Sequence, residues 1–99
     1  MTIETEKRDE TLILRLNGRL DTDTAPQLQE AIDAMPEDVR DLQIDMEQLE
    51  YVTSAGLRVL LAAMKKMKAG GGKMTVYNVN AAIMEVFQIT GFKRHMDIR

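Results

Sequence analysis

The residues best placed to do chemistry lie in the run Tyr51-Val52-Thr53-Ser54-Ala55-Gly56-Leu57-Arg58, between a short alternating apolar segment and an apolar helical stripe. Ser54 falls where a helix N-cap belongs, with its hydroxyl in reach of the free N–H groups of the first turn. Ala55 and Gly56 leave the surroundings uncrowded, so another protein's backbone can approach. Glycine inside a helix costs about 1 kcal/mol relative to alanine, and close approach is one candidate for what offsets it. A phosphoryl group on Ser54 would bring about −1.5 to −2 charge to the positive end of a helix. The helix dipole and its free amides favour an anion there, so the fold should survive. A partner packed on Thr53, Ser54 and Leu57 would instead have to strip water from a bulky dianion. The chemistry on offer is that of a switchable binding surface. The same residues also read as a plain cap and a packing glycine, and spacing alone leaves both readings open.

Other motifs carry less. Asp21-Thr22-Asp23-Thr24 matches the Asp-x-Asp-x-Thr signature of aspartyl phosphotransferases, but the chain offers no evident room for the further acid and lysine residues that chemistry needs. The same residues resemble the start of a calcium loop, except that Pro26 stands where the sharp turn needs glycine. A turn followed by a helix cap is the preferred reading. Gly70-Gly71-Gly72-Lys73 is not a phosphate loop, because it runs from helix into strand and Met74 follows the lysine. His95 is the one histidine and there is no cysteine. A catalytic triad, a histidine-rich metal site, a thiolate nucleophile and a disulfide are thereby excluded. With no acid, base and nucleophile set in view, no enzyme, cofactor or metal is expected.

Periodicity shows the framework on which these residues sit. Leu12, Leu14 and Leu16 alternate with Ile13, Arg15 and Asn17, a strand with one apolar face. Ile3 to Glu6 reads as a partner strand, with Arg8-Asp9-Glu10 as the turn of a hairpin. Thr24 reads as an N-cap, with Pro26 in the first turn and Gln27 as its capping-box partner. Leu28, Ala31, Ile32 and Met35 follow at helical spacing, and Pro36 stops the helix. Leu42, Ile44 and Met46 mark the next strand, and Leu49 to Thr53 reads as a connection. A second helix runs from about Ala55 to Ala69, with Leu57, Leu60, Leu61 and Met64 inward and Lys65, Lys66 and Lys68 as a solvated end. Gly70 to Gly72 close it. Lys73 to Tyr77 is a strand. Asn80 caps a third helix with Ile83, Val86 and Phe87 inward, closed by Gly91. The tail from Phe92 to Arg99 holds a last short strand. Strand–helix–strand alternation implies an α/β fold with a mainly parallel sheet and one antiparallel edge.

Bulk properties agree. The 99 residues suit one domain, 1–99. A formal net charge of −3 argues against non-specific nucleic-acid binding. No stretch reaches the roughly 20 apolar residues that span a bilayer, and Met1 to Glu6 lack the apolar core of a secretory signal. A cytoplasmic protein with no nucleic acid and no direct membrane insertion is expected. Eight methionines and no tryptophan suggest a core filled by flexible side chains.

Two motifs in this order of elements resemble the STAS family. Leu16-Asn17-Gly18-Arg19-Leu20-Asp21, followed by Thr24 and Ala25, resembles the family's strand ending in a Gly-x-Leu-Asp turn. Thr53-Ser54-Ala55-Gly56-Leu57, followed by Val59 and Leu60, is similar to its phosphorylation segment, commonly Asp-Ser-(Ser/Thr)-Gly-Leu. The resemblance covers nearly the whole chain. It implies a STAS-like, mixed, mostly parallel sheet of four to five strands with helices packed against it. It also implies an anti-sigma factor antagonist with Ser54 at the phosphorylated position, Gly56 and Leu57 on the Gly-Leu pair, and Asp21 near the partner-binding face. The implied docking set is Asp21, Thr53, Ser54, Gly56, Leu57 and Arg58. The implied partners are an anti-sigma factor that is also a serine protein kinase, and a metal-dependent serine phosphatase. The chain departs from the pattern where Thr53 replaces the aspartate, which makes Thr53 an alternative acceptor, and where Ala55 replaces the second hydroxyl residue. The C-terminal helix of many members is short or missing, which is expected to leave Phe92 or Met96 exposed. An unphosphorylated STAS subunit, acting as scaffold or nucleotide sensor in a transporter or signalling assembly, is the alternative.

Overall fold

The alternation of leucines at positions 12, 14 and 16 builds one half of the core. In the computed structural model, which describes every residue from Met1 to Arg99, these side chains lie on strand β2, Thr11–Leu20. A two-residue turn at Asp9 and Glu10 joins β2 to the antiparallel edge strand β1, Thr2–Arg8, as the hairpin reading expects. Helix α1 spans Ala25–Asp33, strand β3 Asp41–Val52, helix α2 Ser54–Ala69, strand β4 Lys73–Tyr77 and helix α3 Ala81–Ile89. A single 3-10 turn, Phe92–Arg94, leads to the two-residue strand β5, Asp97–Ile98. The five strands lie in chain order, and every pair after the first is parallel. The expected α/β architecture is present, with five strands.

Register explains the core. Leu12 lies opposite Leu42 and Leu14 opposite Ile44, and these in turn lie opposite Met74 and Val76. All six side chains are buried and make one continuous apolar layer. Onto it α1 brings Ala25, Leu28 and Ile32, α2 brings Leu57, Leu60, Ala63, Met64 and Met67, and α3 brings Ile83 and Phe87. The alternate positions on the strands stay polar and partly exposed: Arg15, Gln43, Asp45 and Tyr77. Arg15 donates to the Glu6 carboxylate at 3.0 Å across the hairpin. The sheet therefore has a helix-covered face and a polar face, the pattern that alternation at period two encodes.

Four local expectations change. The strand read from Leu42 to Met46 continues to Val52, so the segment from Leu49 to Val52 is strand and not connection. Its inward residues after Met46 are Leu49 and Val52, at a spacing of three. The cause is a pair of register shifts against β2, between Arg15 and Asn17 and between Gly18 and Arg19, each adding one residue to β3. Bulges of this kind break the period-two rhythm without ending the strand. Thr24 does sit at the N-cap of α1, but Gln27 does not close a capping box; its Nε2 donates to the Met1 carbonyl at 3.0 Å. The start of α2 lies one residue earlier than expected, with Thr53 as N-cap and Ser54 as the first helical residue. Phe92 and Met96 are buried, because the 3-10 turn folds the tail back and stacks Phe92 on Phe87 with ring centroids 5.1 Å apart.

Two helix ends behave as read. Gly71 adopts a left-handed φ of 77°, which lets its N–H reach Lys68 O and the Gly72 N–H reach Met67 O, closing α2. Asn80 accepts from the Ile83 N–H at 2.8 Å and donates from Nδ2 to the Leu49 carbonyl at 3.1 Å. It thus caps α3 and ties it to β3. Replacing Asn80 by alanine removes both bonds and is expected to cost about 1–2 kcal/mol. Urea unfolding of the two proteins measures this, and an unchanged midpoint would show the cap to be dispensable.

Candidate functional site

The strand extension matters because it delivers the chain to the site. Leu20 and Val52 end β2 and β3 side by side, and the Thr53 N–H donates to the Leu20 carbonyl at 2.9 Å. Thr53 is extended, with φ −97° and ψ 176°, and its carbonyl accepts from the Leu57 N–H at 3.0 Å as the first bond of α2. Its side chain takes none of the remaining amides. The N–H groups of Ser54, Ala55 and Gly56 therefore have no acceptor within the chain. The first turn also carries no acidic residue. This is a helix start whose positive end is uncompensated from within.

The two hydroxyls here differ sharply. Thr53 Oγ1 is buried and has no hydrogen-bond partner, whereas Ser54 is exposed. Of the two, only Ser54 stands exposed at the surface. Ser54, expected to be the cap, is instead one residue inside the helix, where its side chain projects outward beside the free amides.

Gly56 and Leu57 face the other way. Gly56 is buried, and a β-carbon added to it would lie 2.6 Å from Leu20 Cγ and 3.1 Å from the Leu20 carbonyl oxygen. The close approach that offsets its low helix propensity is made by Leu20 of the same chain, not by a partner. Leu57 is 9% exposed and belongs to the core. Of the expected docking set, Ser54 and Arg58 are exposed, Thr53 and Asp21 are half-buried, and Gly56 and Leu57 are interior supports.

Asp21 has internal work. Its Oδ1 accepts from the backbone N–H of Asp23 and of Thr24, both at 3.0 Å. Thr24 Oγ1 accepts from the Asp21 N–H at 2.9 Å and donates to the Arg19 carbonyl at 2.7 Å. The Thr24 N–H above all, together with its hydroxyl, the Asp23 N–H and the charge of Arg19, holds the Asp21 carboxyl below the ordinary aspartate value of 3.8 despite opposing desolvation. The carboxylate organises the turn from β2 into α1 at the same end of the sheet as Ser54.

One surface residue escapes the motif reading. Tyr51, opposite Arg19 on β2, is 45% exposed, one of two large apolar side chains so placed. Its orientation follows from the pairing with β2: with Leu49 and Val52 both inward, Tyr51 faces out. No three or more histidine, cysteine, aspartate or glutamate side chains come together as metal ligands, and no helix is long and apolar enough to cross a membrane.

A family model for the STAS domain matches residues 2–99. An anti-sigma-B factor antagonist of Staphylococcus aureus is 29% identical over 99 residues, covering 99% of this chain and 92% of the relative. A crystal structure of an anti-sigma factor antagonist from Mycobacterium paratuberculosis superimposes with a TM-score of 0.86 at 28% identity, over 98% of this chain and 83% of that one. The structure of the Bacillus cell fate determinant SpoIIAA in its phosphorylated form superimposes with a TM-score of 0.78 at 25% identity, over 99% and 91% of the two chains.

Two substitutions test the architecture of the site. Gly56→Ala forces a β-carbon against Leu20, and overpacking outweighs the gain in helix propensity. Destabilisation of about 1–2 kcal/mol is expected, lowering the melting temperature by roughly 5–10 °C. A melting temperature equal to the parent's would show that α2 and β2 are free to separate. For Asp21 the folded state depresses the carboxyl pKa. Its contribution is full above the ordinary value and is lost as pH falls through the depressed one. Asp21→Asn should therefore unfold at lower urea than the parent at neutral pH, with the gap closing in acid below 3.8. A gap that does not change with pH would contradict this role.

Proposed function

The chain belongs to the STAS domain family, and on that footing we propose that it is an anti-sigma factor antagonist switched by phosphorylation of Ser54. In the unmodified state it binds an anti-sigma factor that is also a serine kinase, and so releases the sigma factor that kinase would hold. The kinase transfers the γ-phosphoryl group of ATP to Ser54 Oγ, with loss of the hydroxyl proton and release of ADP. A metal-dependent phosphatase hydrolyses the ester and restores the hydroxyl. The setting is the cytoplasm, where ATP and sigma factors are found. The protein acts as a binding partner and as a phosphoryl acceptor, and supplies no catalytic group itself.

The observation that carries this reading is the pairing of an exposed Ser54 with a buried Thr53 hydroxyl at a helix start whose amides are free. Modification here places a dianion against the positive end of α2, which stabilises it. The backbone has no reason to rearrange, since the support beneath, Gly56 on Leu20, is buried and away from the modified hydroxyl. The partner bears the cost, because it must desolvate the new charge to dock. Support also comes from the relatives, which are named antagonists of anti-sigma factors, and from a similar fold solved in a phosphorylated form.

Incubation with ATP and the cognate kinase should add one phosphoryl group by intact mass, mapped to Ser54 and abolished in Ser54→Ala. In a binding titration Ser54→Ala should keep the parent's affinity for the kinase, while Ser54→Asp weakens it about tenfold or more, the effect of about 1.4 kcal/mol. Equal affinity of all three proteins, or modification at another residue, would reject the proposal.

A further inference from the structure

Arg58 is the one cation placed on α2 close to Ser54. The outward stripe of the helix reads Ser54, Arg58, Ala62 and Lys65, all exposed, at the spacing that keeps side chains on one face. Residues four apart on a helix have their β-carbons about 5–6 Å from each other. Arg58 takes part in none of the ion pairs of the structure, which join Lys7 to Asp38, Arg8 and Arg15 to Glu6, and Arg99 to Asp97. It donates no side-chain hydrogen bond to protein either, although Arg15 and Arg40 both do. The first turn offers it no acidic neighbour. A free guanidinium thus stands one turn beyond an exposed hydroxyl, with the anion-to-be on the N-terminal side, which is the favourable order for an i,i+4 pair.

We infer that Arg58 is the built-in counter-ion of a phosphorylated Ser54: on modification its guanidinium folds back along α2 and holds the phosphate in a charge-assisted pair. This rests on Ser54 being the residue that is phosphorylated, and it adds a second arm to the switch. The planar guanidinium matches a phosphate bidentately, which a lysine does not do. In the unmodified protein the same cation is free to meet an acidic group on the partner. Phosphorylation therefore changes the docking face twice, adding a dianion and withdrawing Arg58. An aspartate at position 54, shorter and singly charged, reproduces the first change in part and the second poorly.

Among the charges at this end of the neighbouring elements only Arg19 has the sign of Arg58, and it lies on β2 and not on α2. The end of β2 and its turn carry Arg19, Asp21 and Asp23, and β3 carries Glu50. The carboxylates oppose a phosphate dianion, and Asp21 is already bonded into its turn. Since all four stay constant when Arg58 is replaced, the change isolates the pair.

The test is a phosphorus NMR titration of the full chain with phosphoserine encoded at position 54 during translation. An ordinary phosphoserine has a second pKa of about 6. Arg58→Gln should raise that of the protein by roughly 0.3 unit at low ionic strength, the size expected of one i,i+4 charge pair. Arg58→Lys, which keeps the charge and loses the bidentate fork, should recover only part of the shift, and salt at about 1 M should erase the difference. Lys65→Gln, eleven residues from Ser54 and so about 16 Å along the helix, should leave it unchanged. Identical titrations for the parent and the Arg58→Gln variant, or an equal shift from Lys65→Gln, would overturn the pair. Because the phosphoserine is installed without a kinase, failure of any kinase to modify Ser54 would remove the regulatory reading separately from the outcome of this titration.

Discussion

Everything at this end of the sheet hangs on the seating of α2 against the last residue of β2. Leu20 is fully buried, its carbonyl accepts from Thr53, and its side chain fills the space where any β-carbon at position 56 would have to go. Burying one leucine is worth about 1.5–3 kcal/mol, but the geometric effect is larger than that figure suggests. With no side chain at Gly56 the helix backbone lies directly on Leu20, so the first turn cannot slide or tilt without opening the core. Thr53 is pinned from both sides by the same arrangement. Ser54 is therefore displayed at a defined position by the buried Leu20 and Gly56 beneath it.

That arrangement separates two tasks that adjacent residues perform. Thr53, Gly56 and Leu57 look inward and give rigidity; Tyr51, Ser54 and Arg58 look outward and give a surface. The end of β3 supplies Tyr51, and the start of α2 presents the rest within little more than one turn, because its side chains fan around the axis by about 100° per residue. The free amides complete the site. An N-cap side chain ordinarily satisfies one of them, and Thr53 leaves even that one open by turning its hydroxyl inward without a partner. A buried hydroxyl left unpaired costs about 1–3 kcal/mol, and such a cost is tolerable only where the surrounding packing over-determines the conformation. The seating on Leu20 provides that packing.

The two faces of the sheet divide labour in the same way. The leucine face receives the three helices and closes the core, while the opposite face keeps Arg15, Glu6, Gln43 and Asp41 in polar pairs. The bulges act where β3 runs beside the end of β2. By adding residues beyond Asp45 they turn the strand's end so that Val52 is buried beside Leu20, and Tyr51 emerges. A regular strand of the same length would put the helix start elsewhere.

Alternation and helical stripes are local properties of neighbouring residues, so the elements are legible in the chain alone. Leu12 to Leu16, Leu28 to Ile32, Leu57 to Met64 and the Asn80 cap are all readable from spacing; Thr53-Ser54-Ala55-Gly56-Leu57 stands out only through its resemblance to a family segment, since spacing there fits a plain cap equally well. Orientation is not. Whether Gly56 meets a partner or Leu20, and whether Gln27 caps α1 or reaches Met1, depends on residues 36 and 26 positions away. Which of Thr53 and Ser54 is the exposed hydroxyl depends equally on how α2 is seated. The bulges hide the end of β3 for a related reason, since they arise from pairing with β2 and leave no mark on β3 alone. Phe92 and Met96 read as exposable because nothing near them in sequence shows that the tail folds back onto Phe87. Local periodicity says which face of an element is apolar; only the tertiary contacts say what that face, and each residue at its edge, is set against.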